Sequence, residues 1–183
     1  MATMLDLTTQ YAALARYNTW MNQRLYGLAA ELSDEERKRD LGAFFKSIHG
    51  TLNHLLLTDR VQLGRFMGTE HARSLDQRGG VIEIRSLGQE LYADFDTLRG
   101  ERERTDAMIE SWAANITRKF LARTMEYDAM SQPGHYRVPM WAAVTHFFNH
   151  QTHHRGQIST ILSQLDHDVG ITDFMAMLRE KTG

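Results

Sequence analysis

The sequence contains no cysteine, and this absence removes two kinds of chemistry. The fold cannot depend on disulfide bonds, and the chain cannot supply a catalytic thiol of its own. Any thiol that takes part in a reaction would have to come from a small molecule. With 183 residues, the chain is long enough to bury a core without cross-links. A chain of that length is expected to form a single domain that spans residues 1–183, and two small domains are the alternative.

Proline is scarce, and the chain has no long apolar run and no large excess of either charge. The only two prolines, Pro133 and Pro139, lie close together, so long stretches are free to form helices. No apolar run approaches the length of a membrane span, and residues 1–10 lack the pattern of a signal peptide. The net charge is −2 without a basic stripe, so we expect neither nucleic acid nor a membrane as partner. The absence of a signal peptide and of a membrane span favours a cytoplasmic protein. The expected partner is a small-molecule substrate.

Apolar residues recur at spacings of three, four and seven in four long segments, a pattern typical of amphipathic helices. The predicted helices run from Met4 to Leu28, from Leu41 to about Gly68, from Leu87 to Trp112, and from Pro139 to about His167. Four such helices in a chain of this size predict an all-α fold, a four-helix bundle.

The connections between these helices have their own signals. In the charged segment ELSDEERKRD, Ser33 is a candidate cap for a short turn. Residues 69–85 contain RGG and are predicted to form a loop. The segment ARTMEYDAMSQPGHYRVPM contains Pro-Gly and is predicted to be a loop that could include a short hairpin. A short C-terminal helix should follow Thr172.

Residues 146–157, HFFNHQTHHRGQ, contain four of the nine histidines. At ~100° per residue, His154 lies ~20° from the centre of the apolar stripe of this helix, and His150 lies ~60° from it. Two histidines four residues apart therefore occupy the stripe that should face the core. The remaining polar residues lie on its flanks: His146, His153 and Gln157 on one side, and Arg155 on the other.

Two neutral imidazoles on a core-facing stripe are costly unless they have partners. A metal ion would satisfy both, because side chains four residues apart lie one above the other on a helix. The alternative is a pair of core histidines bonded to carboxylates or carbonyls. Gln151 stands where a zinc protease would have its glutamate, and the chain has no Glu-x-x-His pair of a di-iron bundle. Nitrogen ligands suit zinc, nickel, copper or iron better than magnesium or calcium.

A third ligand would have to come from another helix, and the second helix offers His49 and His54. The periodicity of that helix places His54 on a flank, so its pattern decides neither for nor against it. Asp59 falls within the apolar stripe of the same helix, where a carboxylate needs a partner. That partner is either an imidazole of the metal site or an arginine in an ion pair between helices.

Three segments of the chain together resemble the DinB family, whose superfamily also contains mycothiol-dependent maleylpyruvate isomerase and bacillithiol transferases. The segments are YNTWMNQRLY, FFKSIHGTLNHLLLTDRVQLGRF and HFFNHQTHHRGQ. The resemblance implies a bundle with an up-down-down-up order of helices, frequently a homodimer. It also implies that His54, His150 and His154 bind a divalent metal ion, with zinc or nickel expected.

Three neutral histidines leave a coordination position for water or substrate, as in catalytic zinc sites. A hydrolase would use the water, whereas the related thiol transferases favour a low-molecular-weight thiol as cofactor and an S-transferase reaction. A third hypothesis is that the protein binds a metal ion in a stress response and catalyses no reaction. The residues assigned to the reaction are His146, Asp59 and Gln157 for proton transfer or orientation, and His153 and Arg155 for binding the thiol.

Overall fold

The structure is a computed structural model, and it describes residues 6–68, 73–76, 78–130 and 132–179. Most of this part of the chain is helical, which confirms the all-α prediction. The four long helices are α1 (Leu7–Glu31), α3 (Ile48–Met67), α4 (Phe95–Ala114) and α6 (Met140–Gln164). The shorter elements are α2 (Asp34–Lys38), α5 (Arg118–Leu121), the strands β1 (Thr124–Asp128) and β2 (His135–Pro139), and α7 (Phe174–Arg179).

The four long helices pack as a bundle in which α1 and α3 each contact both α4 and α6. Side-chain pairs show that α1 and α6 run in one direction, whereas α3 and α4 both run in the other. This arrangement places α3 beside α6 in antiparallel orientation. The pairs that set the directions are Tyr11 with Thr145, Asn18 with Arg155, Tyr26 with Phe95, Asn18 with Asp106, Asp59 with Arg102, and Phe66 with Trp112.

Capping side chains determine where the helices begin. The Ser47 hydroxyl accepts a hydrogen bond from the Gly50 amide at 3.0 Å, so α3 begins at Ile48. The prediction that this helix starts at Leu41 was therefore wrong, since residues 40–46 form a turn in which Lys46 has a φ of 68°.

The predicted start of α4 was also wrong, and the capping residue of the helix shows why. The Asp94 carboxylate accepts from the Thr97 amide at 2.8 Å, and α4 begins at Phe95 rather than near Leu87. Ser33, the candidate cap, does cap α2. The segment predicted as a loop that could include a short hairpin forms the antiparallel pair of β1 and β2. The predicted start of the first helix at Met4 lies outside the described residues, as do residues 69–72 and 77 of the predicted loop.

A buried polar layer divides the interior into two apolar clusters. One cluster contains Leu25, Leu56 and Ile158, and the other surrounds Tyr11 and Phe147. Along each long helix, polar side chains lie between the residues that enter the two clusters. The layer consists of Asn18, Asn22, Asp59, Arg102, Asp106 and Arg155, all at most 3% exposed.

The hairpin of β1 and β2 lies in the α4–α6 connection and is tied to α3. The Arg65 guanidinium of α3 packs 4.3 Å from the centre of the Tyr127 ring and donates to the carbonyl oxygen of Asp128 at 3.1 Å. The hairpin is therefore held against one end of the α3–α6 groove. Within the described ranges, every helix is too short or too polar to span a bilayer.

Candidate metal centre

Three histidines from two helices converge in the groove between α3 and α6. His54 lies on α3, and His150 and His154 lie one turn apart on α6. The Nε2 atom of His150 is 3.3 Å from that of His54 and 3.1 Å from that of His154. The ligand atoms of the three residues all lie within 4.8 Å of one another. We call these three residues the histidine triad.

Hydrogen bonds on the far side of two rings fix which nitrogen of each ring faces the triad. His54 Nδ1 lies 2.7 Å from the carbonyl oxygen of Leu87, which can only accept, so Nδ1 carries the hydrogen. His154 Nδ1 donates in the same way to Oε1 of Gln157 at 2.8 Å. In both rings Nε2 is left with a lone pair directed into the triad. Metal-binding histidines show this arrangement, with the second ring nitrogen held by an acceptor.

The spacing of the three nitrogens fits a divalent transition metal. If Nε2 of His150 carries a hydrogen, it can donate it to Nε2 of His54 or to Nε2 of His154, but not to both. Without a metal ion, His150 Nε2 therefore lies close to at least one nitrogen with which it forms no hydrogen bond. Two nitrogens that each lie ~2.0–2.1 Å from a tetrahedral ion are ~3.3 Å apart. The observed separations of 3.1 Å and 3.3 Å are close to that value. These three residues would therefore hold the ion, and nitrogen ligands select zinc, nickel, copper or iron.

Burial keeps the triad in the neutral form that binds a metal. Desolvation lowers the pKa of His54 to about 4. Desolvation, together with the nearby imidazoles, lowers the pKa of His150 to about 3. The pKa of His154 is also lowered, mainly by desolvation. At neutral pH all three imidazoles are thus unprotonated, and no proton has to be displaced before a cation binds.

An aromatic ring closes one side of the triad. The Phe45 ring stacks on His54 with the ring centres 3.7 Å apart, and it meets His154 edge-on at 5.5 Å. Phe45 belongs to the turn that precedes α3, held by a hydrogen bond from the Leu41 amide to the Lys46 carbonyl at 2.8 Å. An approaching molecule must therefore reach the triad from another side.

A cavity of about 150 Å³ supplies that approach, and His150 forms part of its wall. It lies between α3, α6 and the hairpin, and it is large enough for several water molecules or a small organic molecule. Polar and apolar side chains both line it. The lining includes Thr58, Asp59, Gln62, Arg65, Leu87, Tyr127, His146 and Phe147.

Most of the other residues predicted for the site lie at or next to the triad. His146 lines the cavity, with its ring centre 5.7 Å from that of His150. Gln157 accepts from His154, and its amide nitrogen lies 3.2 Å from Nε2 of His153, which is exposed.

The two remaining residues belong to the polar layer. Asp59 borders the cavity, but its Oδ2 accepts from Nη1 of Arg102 at 2.6 Å, so its partner is an arginine. Arg155 is 3% exposed and donates to the side chain of Asn18 on α1, away from the triad. The structure therefore does not bring Arg155 to the histidines.

Three contributors to the site escaped the sequence reasoning. Phe45 and Leu87 were assigned to helices, so neither the stacking ring nor the carbonyl that orients His54 was anticipated. Arg65 lies on the same face of α3 as His54, eleven residues further on, and this helical spacing is the one signal that could have identified it. His49, the other candidate on α3, instead bonds to the Tyr92 carbonyl at 3.0 Å.

We expect Gln157→Leu to weaken zinc binding about 10- to 100-fold, because His154 loses the acceptor that orients its ring. Competition with a chromogenic chelator would measure the affinity. Gln164→Leu, at an exposed position near the end of α6, is the matched control and should bind zinc like the unchanged protein. Equal affinities of the two variants would show that the Gln157 contact does not support the site.

Comparison with known proteins agrees with this geometry. The sequence profile of the DinB family matches residues 1–182. Protein DinB of Bacillus subtilis (strain 168) is 22% identical over 169 residues, which cover 88% of this chain and 89% of that protein. No solved structure matches the chain. With a family match over almost its entire length and a buried three-histidine group suited to a metal ion, the chain belongs to the DinB family.

Proposed function

We propose that this protein is a zinc- or nickel-dependent enzyme that transfers a low-molecular-weight thiol to a small electrophile. The observation that carries the proposal is the position of the histidine triad, which Phe45 covers on one side and a cavity reaches at His150. A purely structural metal site would have its ligand sphere closed by protein groups, whereas catalytic sites keep a position accessible.

The charge of the triad favours an anionic reactant. When bound, a divalent cation held by three neutral imidazoles keeps its full charge and stabilises the anionic form of a thiol or of water. The chain has no cysteine that could fill this role, so the thiol would come from a cofactor. Asp59, the carboxylate that borders the cavity, is paired with Arg102 and leaves the local positive charge largely uncompensated.

His146 is the residue best placed to receive the proton that a thiol loses. It lines the cavity one turn before His150, and its Nδ1 and Nε2 are not part of the triad. A histidine side chain within reach of the reacting group can accept a proton as a general base. We assign His146 to proton transfer, and we assign Asp59 and Gln157 to holding the surrounding groups in place.

The zinc-loaded protein should accelerate conjugation of 1-chloro-2,4-dinitrobenzene with at least one of glutathione, bacillithiol and mycothiol. In this reaction the thiol sulfur bonds to the ring carbon, the carbon–chlorine bond breaks, and chloride and the thiol proton are released. His146→Ala should lower the rate constant of the reaction by ~10²- to 10⁴-fold while zinc stays bound, because a proton acceptor is lost. His167→Ala removes a histidine outside the site and serves as the control. The absorbance of the product gives the rate.

Two results would contradict the thiol reaction. One is the absence of any zinc-dependent rate with all three thiols, together with an unchanged spectrum of the cobalt-substituted protein when they are added. The other is zinc-dependent hydrolysis of an ester or amide without any thiol, which would identify a hydrolase. If neither reaction occurs and the metal is bound tightly, the protein would be a metal-binding protein without catalysis.

We also propose that the protein is a homodimer, the state that the family resemblance implies. Trp141, at the start of α6, is 50% exposed, and Phe44, whose ring contacts that of Phe45, is 84% exposed. Burial of such side chains between two copies would remove apolar surface from water. Light scattering over a range of concentrations should give twice the chain mass of 21.1 kDa. A mass that stays at that of one chain would disprove the dimer.

A further inference from the structure

One face of α3 connects the histidine triad to a positively charged side chain. His54, Thr58, Val61 and Arg65 follow one another at spacings of four, three and four residues, so they lie on a single face. The last three of these line the cavity, with α6 as the opposite wall. The cavity therefore has His150 of the triad in its wall and Arg65 elsewhere along the same groove.

His150 and Arg65 line the same cavity, which at about 150 Å³ has room for a small organic molecule. Eleven residues of helix separate His54 from Arg65, a rise of ~16 Å along the axis. Helical side chains lean towards the N-terminus, and Arg65 does so, since its Nη1 lies 3.4 Å from Oε1 of Gln62. The guanidinium thus approaches the triad more closely than its backbone. Val61, Leu87 and Phe147 add apolar groups to the lining of the same cavity.

Arg65 is a partly desolvated cation without a carboxylate partner in the part of the chain that the structure describes. Burial lowers the pKa of its guanidinium, and the ionisable group that opposes this shift is the Tyr127 phenol. Its contacts are the Tyr127 ring, a backbone carbonyl and the neutral amide of Gln62. By contrast, the buried Arg60 and Arg102 are paired with carboxylates.

We propose that Arg65 binds a carboxylate group of the substrate, so that the enzyme acts on small molecules with a carboxylate at one end and the reacting atom at the other. Guanidinium and carboxylate form paired, charge-assisted hydrogen bonds, which are strongest where water is partly excluded. The proposal rests on the function proposed above, since it uses the same cavity and places the reacting end of the substrate at the triad.

The test compares hexanoate with hexanamide, which have the same length and differ in charge. Each is titrated into the purified full-length chain, with and without zinc, while NMR follows the Nε–H signal of Arg65. We expect hexanoate to shift this signal and to bind about tenfold or more tightly than hexanamide. In Arg65→Gln the ratio of the two affinities should fall to about one. In Arg65→Lys the ratio should be intermediate, because lysine keeps the charge but loses the planar guanidinium group that donates two hydrogen bonds at once.

Arg99→Gln is the matched control, because it removes the same charge from an exposed position on α4 and should keep the full preference. Equal binding of the two ligands, a preference that survives in Arg65→Gln, or an unshifted Arg65 signal would each overturn the proposal. The Nε–H signal of Arg65 in the unchanged protein tests the proposal even if a variant does not fold. Because the titration works without zinc, a missing thiol reaction alongside a clear hexanoate preference would refute only the proposed function.

Discussion

Replacing His150 with alanine should abolish stoichiometric binding of a divalent metal. His150 is the central member of the histidine triad, with its Nε2 within 3.3 Å of the corresponding atoms of His54 and His154. Without it, two imidazoles on different helices remain. Changes in residues that merely support a ligand already weaken binding by ~10- to 100-fold, so the loss of a ligand should exceed that range. Elemental analysis after dialysis, together with competition against a chelator, would measure the effect.

His153→Ala is the control for this experiment, because His153 is the exposed neighbour of His154 and lies outside the triad. It should retain about one metal ion per chain. Circular dichroism would establish that both variants are folded, which separates loss of the site from loss of the protein. If His153→Ala loses the metal and His150→Ala keeps it, the assignment of the ligands on α6 is incorrect.

Arg102→Met should destabilise the protein by about 3–5 kcal/mol at neutral pH. The Arg102 guanidinium lies 2.6 Å from Oδ2 of Asp59 and 2.8 Å from Oδ1 of Asp106, and all three side chains are at most 3% exposed. Methionine removes the charge and leaves both carboxylates buried without it. Urea unfolding, followed by circular dichroism, would give the free energy of unfolding.

Arg99→Met on the exposed face of α4 is the matched control. Arg99 pairs with Glu103 at 3.3 Å, but both side chains are well exposed, so the change should cost about 0.5 kcal/mol or less. Similar losses for Arg99→Met and Arg102→Met would show that the buried ion pairs do not stabilise the fold.

The loss of unfolding free energy in Arg102→Met should depend on pH, and the two carboxyl groups determine the direction of that dependence. Desolvation raises the pKa of both Asp59 and Asp106, and the Arg102 charge opposes that rise. Without Arg102 both pKa values rise further. The folded variant then binds protons at pH values where carboxyls of the unfolded chain are ionised. The difference from the unchanged protein should therefore shrink as the pH falls from 7 through these raised pKa values.

The features that depend on neighbouring residues of one helix were visible in the sequence. The four long helices follow from apolar spacing, and His150 and His154 could be phased together because a helix places residues four apart on one side. The Ser33 cap of α2 and the Pro-Gly turn of the hairpin at Pro133 are likewise local signals. Such predictions fail at boundaries, as at Leu41 and Leu87, because an apolar residue that packs from a loop looks the same as one that packs from a helix.

The site as a whole required contacts between distant parts of the chain. The phase of His54 was uninformative because α3 is buried on nearly all sides, 15 of its 20 residues being buried. Periodicity identifies an inward face only when the opposite face is in water. The sequence also left open whether Asp59 pairs with an imidazole or an arginine, because the partner lies on another helix. The packing of α4 against α3 makes Arg102 that partner.

By itself, therefore, the sequence determined the helices, the absence of an internal thiol and a pair of inward histidines on α6, because these depend on composition and on the geometry of a single helix. Only the tertiary structure joined that pair to His54, closed one side of the triad with Phe45 and left a cavity that extends to Arg65. The physical reason is that these residues come from separate segments, and their distances are set by how α3, α6 and the hairpin pack together.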